Sequence, residues 1–204
     1  MTARSVPSMV ALLLALAPML LSGCDRVGGA LGLTGTVGAT APQLIGSERL
    51  RVTLPDRGAE AVLGPVSRID DVTVWQTLDG ITLAFRDGVL VGTRGLGDDL
   101  MSADVSGDVA MLRGFTGEGY HPHIRSYLDG EDQTVFRSYQ CRRTAQGRET
   151  TSDGPATHRI EMRCASPQDS FTNVYWLDGA GAVTKSRQWV GPTTGYMETE
   201  RVAR

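Results

Sequence analysis

Short runs in which apolar and polar residues strictly alternate recur along this 204-residue chain, most of them closed by a turn containing glycine. In ITLAFR (81–86), Ile81, Leu83 and Phe85 share one face; Thr82 and Arg86 take the other, with small Ala84 between them. A period of two is the mark of a half-buried strand. VTVWQT (72–77) precedes this run and VLVGTR (89–94) follows it. The connections are LDG and DG, and Asp-Gly is a favoured hairpin pair, so the three runs read as a meander. ERLRVTL and EAVLGPVSRI read as earlier strands, the second interrupted by Pro65. TVFRSYQC, HRIEMRC, TNVYWLD, AVTKSRQWV and GYMETERV read as later ones. No segment sustains a helical period beyond two or three turns. Residues 98–111 are the best short-helix candidate, with Asp98 or Asp99 capping a helix that begins near Leu100. The expected fold is all-β: a single domain whose large antiparallel meander sheet curls into an open barrel, with short helical segments.

The first forty residues follow another pattern. Arg4 precedes the apolar run VALLLALAPMLL (10–21), which is too short to span a bilayer comfortably and reads as a secretory signal. It ends in Leu21-Ser22-Gly23-Cys24, the form of a bacterial lipoprotein box. Cleavage before Cys24 and lipidation of its thiol would follow, and several acyl chains give anchoring that one alone does not. Asp25 after the Cys is a weak pointer to inner-membrane retention. The Gly-rich stretch to residue 40 reads as a tether. The expected divisions are 1–23 signal peptide, 24–40 lipidated Cys and flexible tether, and 41–204 folded domain.

Composition narrows the partners. With 41% hydrophobic and 21% charged residues the chain is that of a folded protein, and its 25 glycines favour many turns over long helices. Net charge is −3, Lys185 is the lone lysine and no basic stripe runs along the chain, which argues against nucleic acid. Beyond Cys24 stand Cys141 and Cys164, each on the apolar side of its strand. In an oxidising compartment such a pair suggests a disulfide, with two buried free thiols as the alternative.

Candidate chemistry is sparse. LVGTRGLGDDLMSADV (90–105) invites comparison with phosphate and metal loops. It has no P-loop lysine, its glycines miss the dinucleotide spacing, and it lacks the EF-hand pattern. A glycosidase would need separate carboxylates across the sugar: Asp98 or Asp99 with Asp104, Glu118 or Asp129. The simpler reading is a strand end that needs glycine. His121 and His123 could share a strand face and His158 lies elsewhere, but Pro122 argues for a bend, so no metal or other cofactor is expected. Ser102 and Ser106 have no recognisable base. Toward the C-terminus, Phe171, Tyr175, Trp176, Trp189 and Tyr196 mix with Asn173, Arg187 and Gln188. That is either barrel core or an aromatic floor for sugar rings. Adjacent Tyr175 and Trp176 must point to opposite faces, so one of them lies outside the core.

Taken together, the lipoprotein box, the 72–105 block with TRGLGDDLMSA, the two cysteines and the KSRQWVGP-containing C-terminal run resemble the YjbF/GfcB lipoproteins of exopolysaccharide and group 4 capsule operons. The resemblance spans roughly residues 45–202. It implies an envelope-anchored, mostly β domain like an open barrel that assists polysaccharide production or secretion, and it implies no catalytic residues. The expected function is therefore a non-enzymatic accessory lipoprotein of the bacterial envelope, facing the periplasm. The membrane is contacted through the lipid, and polysaccharide or export proteins are the expected partners. Arg94, Asp98 and Asp99 in one loop and Arg187, Gln188 and Trp189 in another are the expected glycan or partner surface. The alternatives are a polysaccharide-acting enzyme using Asp98 or Asp99, and a purely structural envelope lipoprotein.

Overall fold

The computed structural model describes residues 41–115, 119–128, 131, 133–150 and 155–202. The signal peptide, Cys24 and the tether lie outside the described residues, as do Glu118 and Asp129. Twelve strands follow in chain order: β1 (Arg49–Leu54), β2 (Ala59–Ile69), β3 (Val72–Gln76), β4 (Thr82–Arg86), β5 (Val89–Arg94), β6 (Leu100–Asp104), β7 (His121–Leu128), β8 (Thr134–Glu149), β9 (Thr157–Ala165), β10 (Ser170–Leu177), β11 (Val183–Gly191) and β12 (Gly195–Val202). A short helix, α1 (Ser106–Leu112), lies between β6 and β7.

All twelve strands belong to one antiparallel sheet, in the order β5-β4-β3-β2-β1-β12-β11-β10-β9-β8-β7-β6. The two edge strands, β5 and β6, are consecutive in the chain and joined only by residues 95–99. A connection of that length reaches about 20 Å at full extension. Twelve strands laid flat would hold their edges roughly 50 Å apart at the usual interstrand spacing. The sheet must therefore roll up, and it is nearly closed into a barrel.

Alternation sets the faces as expected. Leu50, Val52 and Leu54 of β1, and Leu83 and Phe85 of β4, turn inward. The β4–β5 turn is Asp87-Gly88, both with positive φ (49° and 86°), the two-residue geometry that matches strand twist. A Cβ on Gly88 would stand 2.5 Å from Cβ of Val183, so this turn also packs against β11. Cys141 and Cys164 face each other on β8 and β9 and are joined as a disulfide, with Cα atoms 4.0 Å apart.

Two expectations are corrected. The helix occupies only Ser106–Leu112, because residues 100–104 pair with β7 as β6. Neither Asp98 nor Asp99 caps it. Val105 stands at the N-cap without a side-chain cap, and Asp104 before it accepts from the Ser106 amide (3.1 Å) and hydroxyl (2.7 Å), which holds its carboxyl below the usual value. Pro122 does not bend the chain away from the sheet: it is the second residue of β7, where a missing N–H is tolerated. Pro65 likewise lies within β2, with a register shift beside it.

The interior holds two apolar clusters. One gathers α1 with the β8–β10 side, including Met111, Met162 and Phe171. The other gathers β1–β5, including Leu63, Trp75 and Leu83, together with Met197 of β12.

Candidate functional site

The loop TRGLGDDL is a clasp. No backbone ladder joins β5 to β6, and side chains take its place. Leu100 N–H donates to Thr93 Oγ1 (3.0 Å), while the Arg94 guanidinium donates to the carbonyls of Leu100 (3.2 Å) and Met101 (3.4 Å). Asp99 accepts from Thr93 Oγ1 (2.7 Å) and from the amides of Gly95 (2.8 Å) and Leu96 (3.1 Å), so its carboxylate organises the loop. Asp98 accepts from the Thr193 hydroxyl, tying the loop to the β11–β12 turn.

The second expected patch is not a loop. Lys185 to Gly191 belong to β11, and alternation splits their side chains between faces. Gln188 is fully buried and corrects the surface expectation. Its Oε1 accepts from the Leu90 amide (2.9 Å) and its Nε2 donates to the Gly88 carbonyl (2.9 Å), bracing β5 across the barrel. Arg187 stands 3.5 Å above the Tyr196 ring and Trp189 is half-buried against Phe171 and Tyr196. Asn173 Oδ1 accepts from the Trp189 amide (2.8 Å) where β10 and β11 diverge. Tyr175 points in and is fully buried, while Trp176 lies half-buried on the outer face with Arg159 and Lys185 over its ring. The C-terminal aromatics are thus packed or covered and do not form an open floor.

The largest buried polar assembly comes from β7 and α1. His121, His123, Arg125 and Tyr127 occupy alternate positions of β7 and all turn inward. Arg125, 1% exposed, donates to His123 Nε2 (2.9 Å), Tyr127 Oη (3.0 Å), and the carbonyls of Val190 (3.0 Å) and Trp189 (2.8 Å). Because Arg can only donate, His123 carries its proton on Nδ1 and donates it to Asp108 Oδ2 (2.8 Å). A neutral imidazole therefore links a buried guanidinium to a buried carboxylate. Burial pushes the Asp108 carboxyl up, but His121 and His123 beside it outweigh that and hold it below the usual value. Burial and the neighbouring Asp169 carboxylate push the Tyr139 phenol up to about 12, and burial pushes Tyr175 far higher, so both remain donors.

Asp108, His123, Cys141 and Cys164 place potential ligand atoms within 4.8 Å of one another. The donor set does not suit a metal: both sulfurs are spent in the disulfide, both His123 nitrogens are hydrogen-bonded, and Arg125 adds a cation beside them. Among the described residues no hydroxyl hydrogen-bonds to His121 or His123, so no serine nucleophile is assembled with them. The sequence reading missed Asp108 and Arg125. The available signal was the polar side of HPHIRSYL, whose strict period of two marks one face of a strand.

One end of the barrel is open. A cleft of about 710 Å³ lies there, with Leu50, Trp75 and Phe85 inside and Arg68, Arg201 and Phe115 among the residues around it. A smaller hollow of about 200 Å³ at the other end is lined mainly by aliphatic side chains such as Leu54, Ile81 and Leu96.

An almost closed antiparallel barrel, filled by a short helix and crossed by a buried Asp–His–Arg relay, defines a β-barrel-like scaffold class. The model of the group 4 capsule polysaccharide lipoprotein family, GfcB/YjbF, matches residues 41–202, and the chain belongs to that family. The fold is also similar to the crystal structure of the hypothetical lipoprotein YmcC from Escherichia coli K12: 15% identity, 98% of each chain covered, TM-score 0.61. A putative exported protein with a YmcC-like fold from Bacteroides fragilis aligns at 12% identity over 80% of this chain and 97% of its own, with a TM-score of 0.24. No curated protein matches.

Proposed function

We propose that the chain is a lipid-anchored, non-enzymatic accessory factor in exopolysaccharide or capsule production, held at the envelope through Cys24 and facing the periplasm. The observation that carries this is the capsule-lipoprotein family match over residues 41–202, which begins where the tether expected after Cys24 ends. The Cys141–Cys164 disulfide suits an oxidising compartment. The two carboxylates weighed for acid–base work, Asp98 and Asp99, are engaged in loop and turn contacts, which supports a role other than hydrolysis. Of the expected partner surface, Arg187, Trp189 and Asp98 remain as the proposed outward-facing part. Arg94 and Asp99 serve the clasp.

The test is Cys24→Ser together with deletion, read by membrane fractionation and by polymer output. The serine variant is expected in the soluble fraction with reduced surface polymer. Membrane-bound Cys24→Ser protein with normal polymer would overturn the anchoring. Normal polymer with a leaky envelope on deletion would point to a structural lipoprotein, and shortening of the host's polymer by purified protein would show an enzyme.

A further inference from the structure

We propose that the open end of the barrel is a binding site for a short uncharged stretch of polysaccharide, held against Phe115, by hydrogen bonds from Arg68 and Arg201, and by hydrogen bonds from its hydroxyls to Glu48 and Asp70. This deepens the proposed function and rests on it for the class of ligand.

Three features of the cleft point the same way. Its volume, about 710 Å³, lies within the range of roughly 300–1,000 Å³ typical of sites for small organic ligands, and barrel mouths are a recurrent place for them. Its interior is apolar and aromatic, with Leu50, Trp75 and Phe85 at the bottom. Phe115, three residues past the end of α1, lines the same cleft yet is 78% exposed, an aromatic face left open to a ligand. Around this lies a ring of planar polar groups. Arg113 pairs with Asp87, and Arg86, just outside the lining, pairs with Asp71 at 3.1 Å. Arg68 uses Nε on Thr73 (3.2 Å) and keeps the rest of its fork exposed. Among the described residues the side chains of Glu48, Asp70 and Arg201 have no hydrogen-bond or ion-pair partner, and all three are exposed at the cleft.

Aromatic faces suit the C–H sides of sugar rings, and guanidinium and carboxylate forks suit pairs of hydroxyls. Charge decides among ligands. The four rim carboxylates, Glu48, Asp70, Asp71 and Asp87, are balanced by Arg68, Arg86, Arg113 and Arg201. A polyanion gains little from such a ring, and an acyl chain would have to desolvate it. A neutral polyhydroxylated chain meets both surfaces.

The experiment uses the full-length lipoprotein in detergent micelles, titrated by calorimetry with oligosaccharides from a partial acid hydrolysate of the host's own extracellular polysaccharide. Phe115→Ala is expected to weaken binding about three- to tenfold, the usual worth of one aromatic contact. Arg201→Ala is expected to do the same. Arg148→Ala, exposed on β8 outside the cleft, is expected to bind as the parent does. Circular dichroism checks the folding of each. Saturable binding unaffected by Phe115→Ala and Arg201→Ala would overturn the site, as would absence of any binding to the parent protein. Either result leaves the accessory role standing if deletion still lowers polymer output. If deletion leaves output unchanged, the broader reading fails instead.

Discussion

Replacing Arg125 by methionine separates a structural ion relay from ordinary packing. Methionine keeps most of the length of the side chain and removes the charge, so little is lost in volume. Four hydrogen bonds disappear, to His123 Nε2, Tyr127 Oη and the carbonyls of Val190 and Trp189. Val190 keeps the Tyr127 hydroxyl (2.9 Å), while the Trp189 carbonyl loses its bond from Arg125. Asp108, fully buried, loses the cation balanced against it through His123. Breaking a buried charge pair from one side costs about 3–5 kcal/mol. That is a large part of the roughly 5–15 kcal/mol that keeps a domain folded. Urea denaturation followed by tryptophan fluorescence should show a clear drop in midpoint at nearly unchanged slope. The decisive comparison is a double-mutant cycle with Asp108→Asn. With both charges gone, the double variant should be less destabilised than the two singles added together, by about 1 kcal/mol or more. A loss below about 1 kcal/mol for Arg125→Met, or additivity within about 0.5 kcal/mol, would refute the relay.

Three further outcomes are expected. Changing Cys141 and Cys164 together to serine opens a loop of sequence separation 23. It should cost about 3 kcal/mol by chain entropy, measured against the oxidised parent. Gly88→Ala places a Cβ 2.5 Å from that of Val183 at a φ of +86°, so strain and overpacking together should cost about 2–4 kcal/mol in thermal or urea unfolding. The lowered pKa of Asp108 sets a pH dependence: its contribution is complete above the unfolded carboxylate value of about 3.9 and is lost as pH falls from there through the folded value. Asp108→Asn should therefore flatten the acid limb of the stability profile below a pH of about 4, where the parent loses this contribution, and an unchanged limb there would place the acid sensitivity elsewhere.

Local pattern was enough for most of the fold. The alternation in β1, β4 and β12, the Asp-Gly turn at 87–88, and the inward placing of Cys141 and Cys164 follow from a period of two and from backbone sterics, which act within a few residues. The outward turn of either Tyr175 or Trp176 was legible for the same reason, although which of them it is was not. The candidate site was far less legible. In HPHIRSYL the polar side, His121 to Tyr127, faces the interior, while Ile124 and Leu128 on the other side are partly exposed. Pattern alone would assign those faces the other way. What reverses them is the position of α1 and of the Trp189 and Val190 carbonyls across the barrel, which offer partners to buried polar groups. Gln188 and Asp99 changed meaning in the same manner, from surface groups to a cross-barrel brace and a seam clasp. Hydrophobic periodicity is a property of neighbouring residues and can be read along the chain. Satisfaction of buried polar groups depends on atoms that closure of the sheet brings together from as far as 100 positions away. The sequence by itself determined the strands and their turns; only the rolled-up sheet decided which polar residues lie inside, and which end stands open.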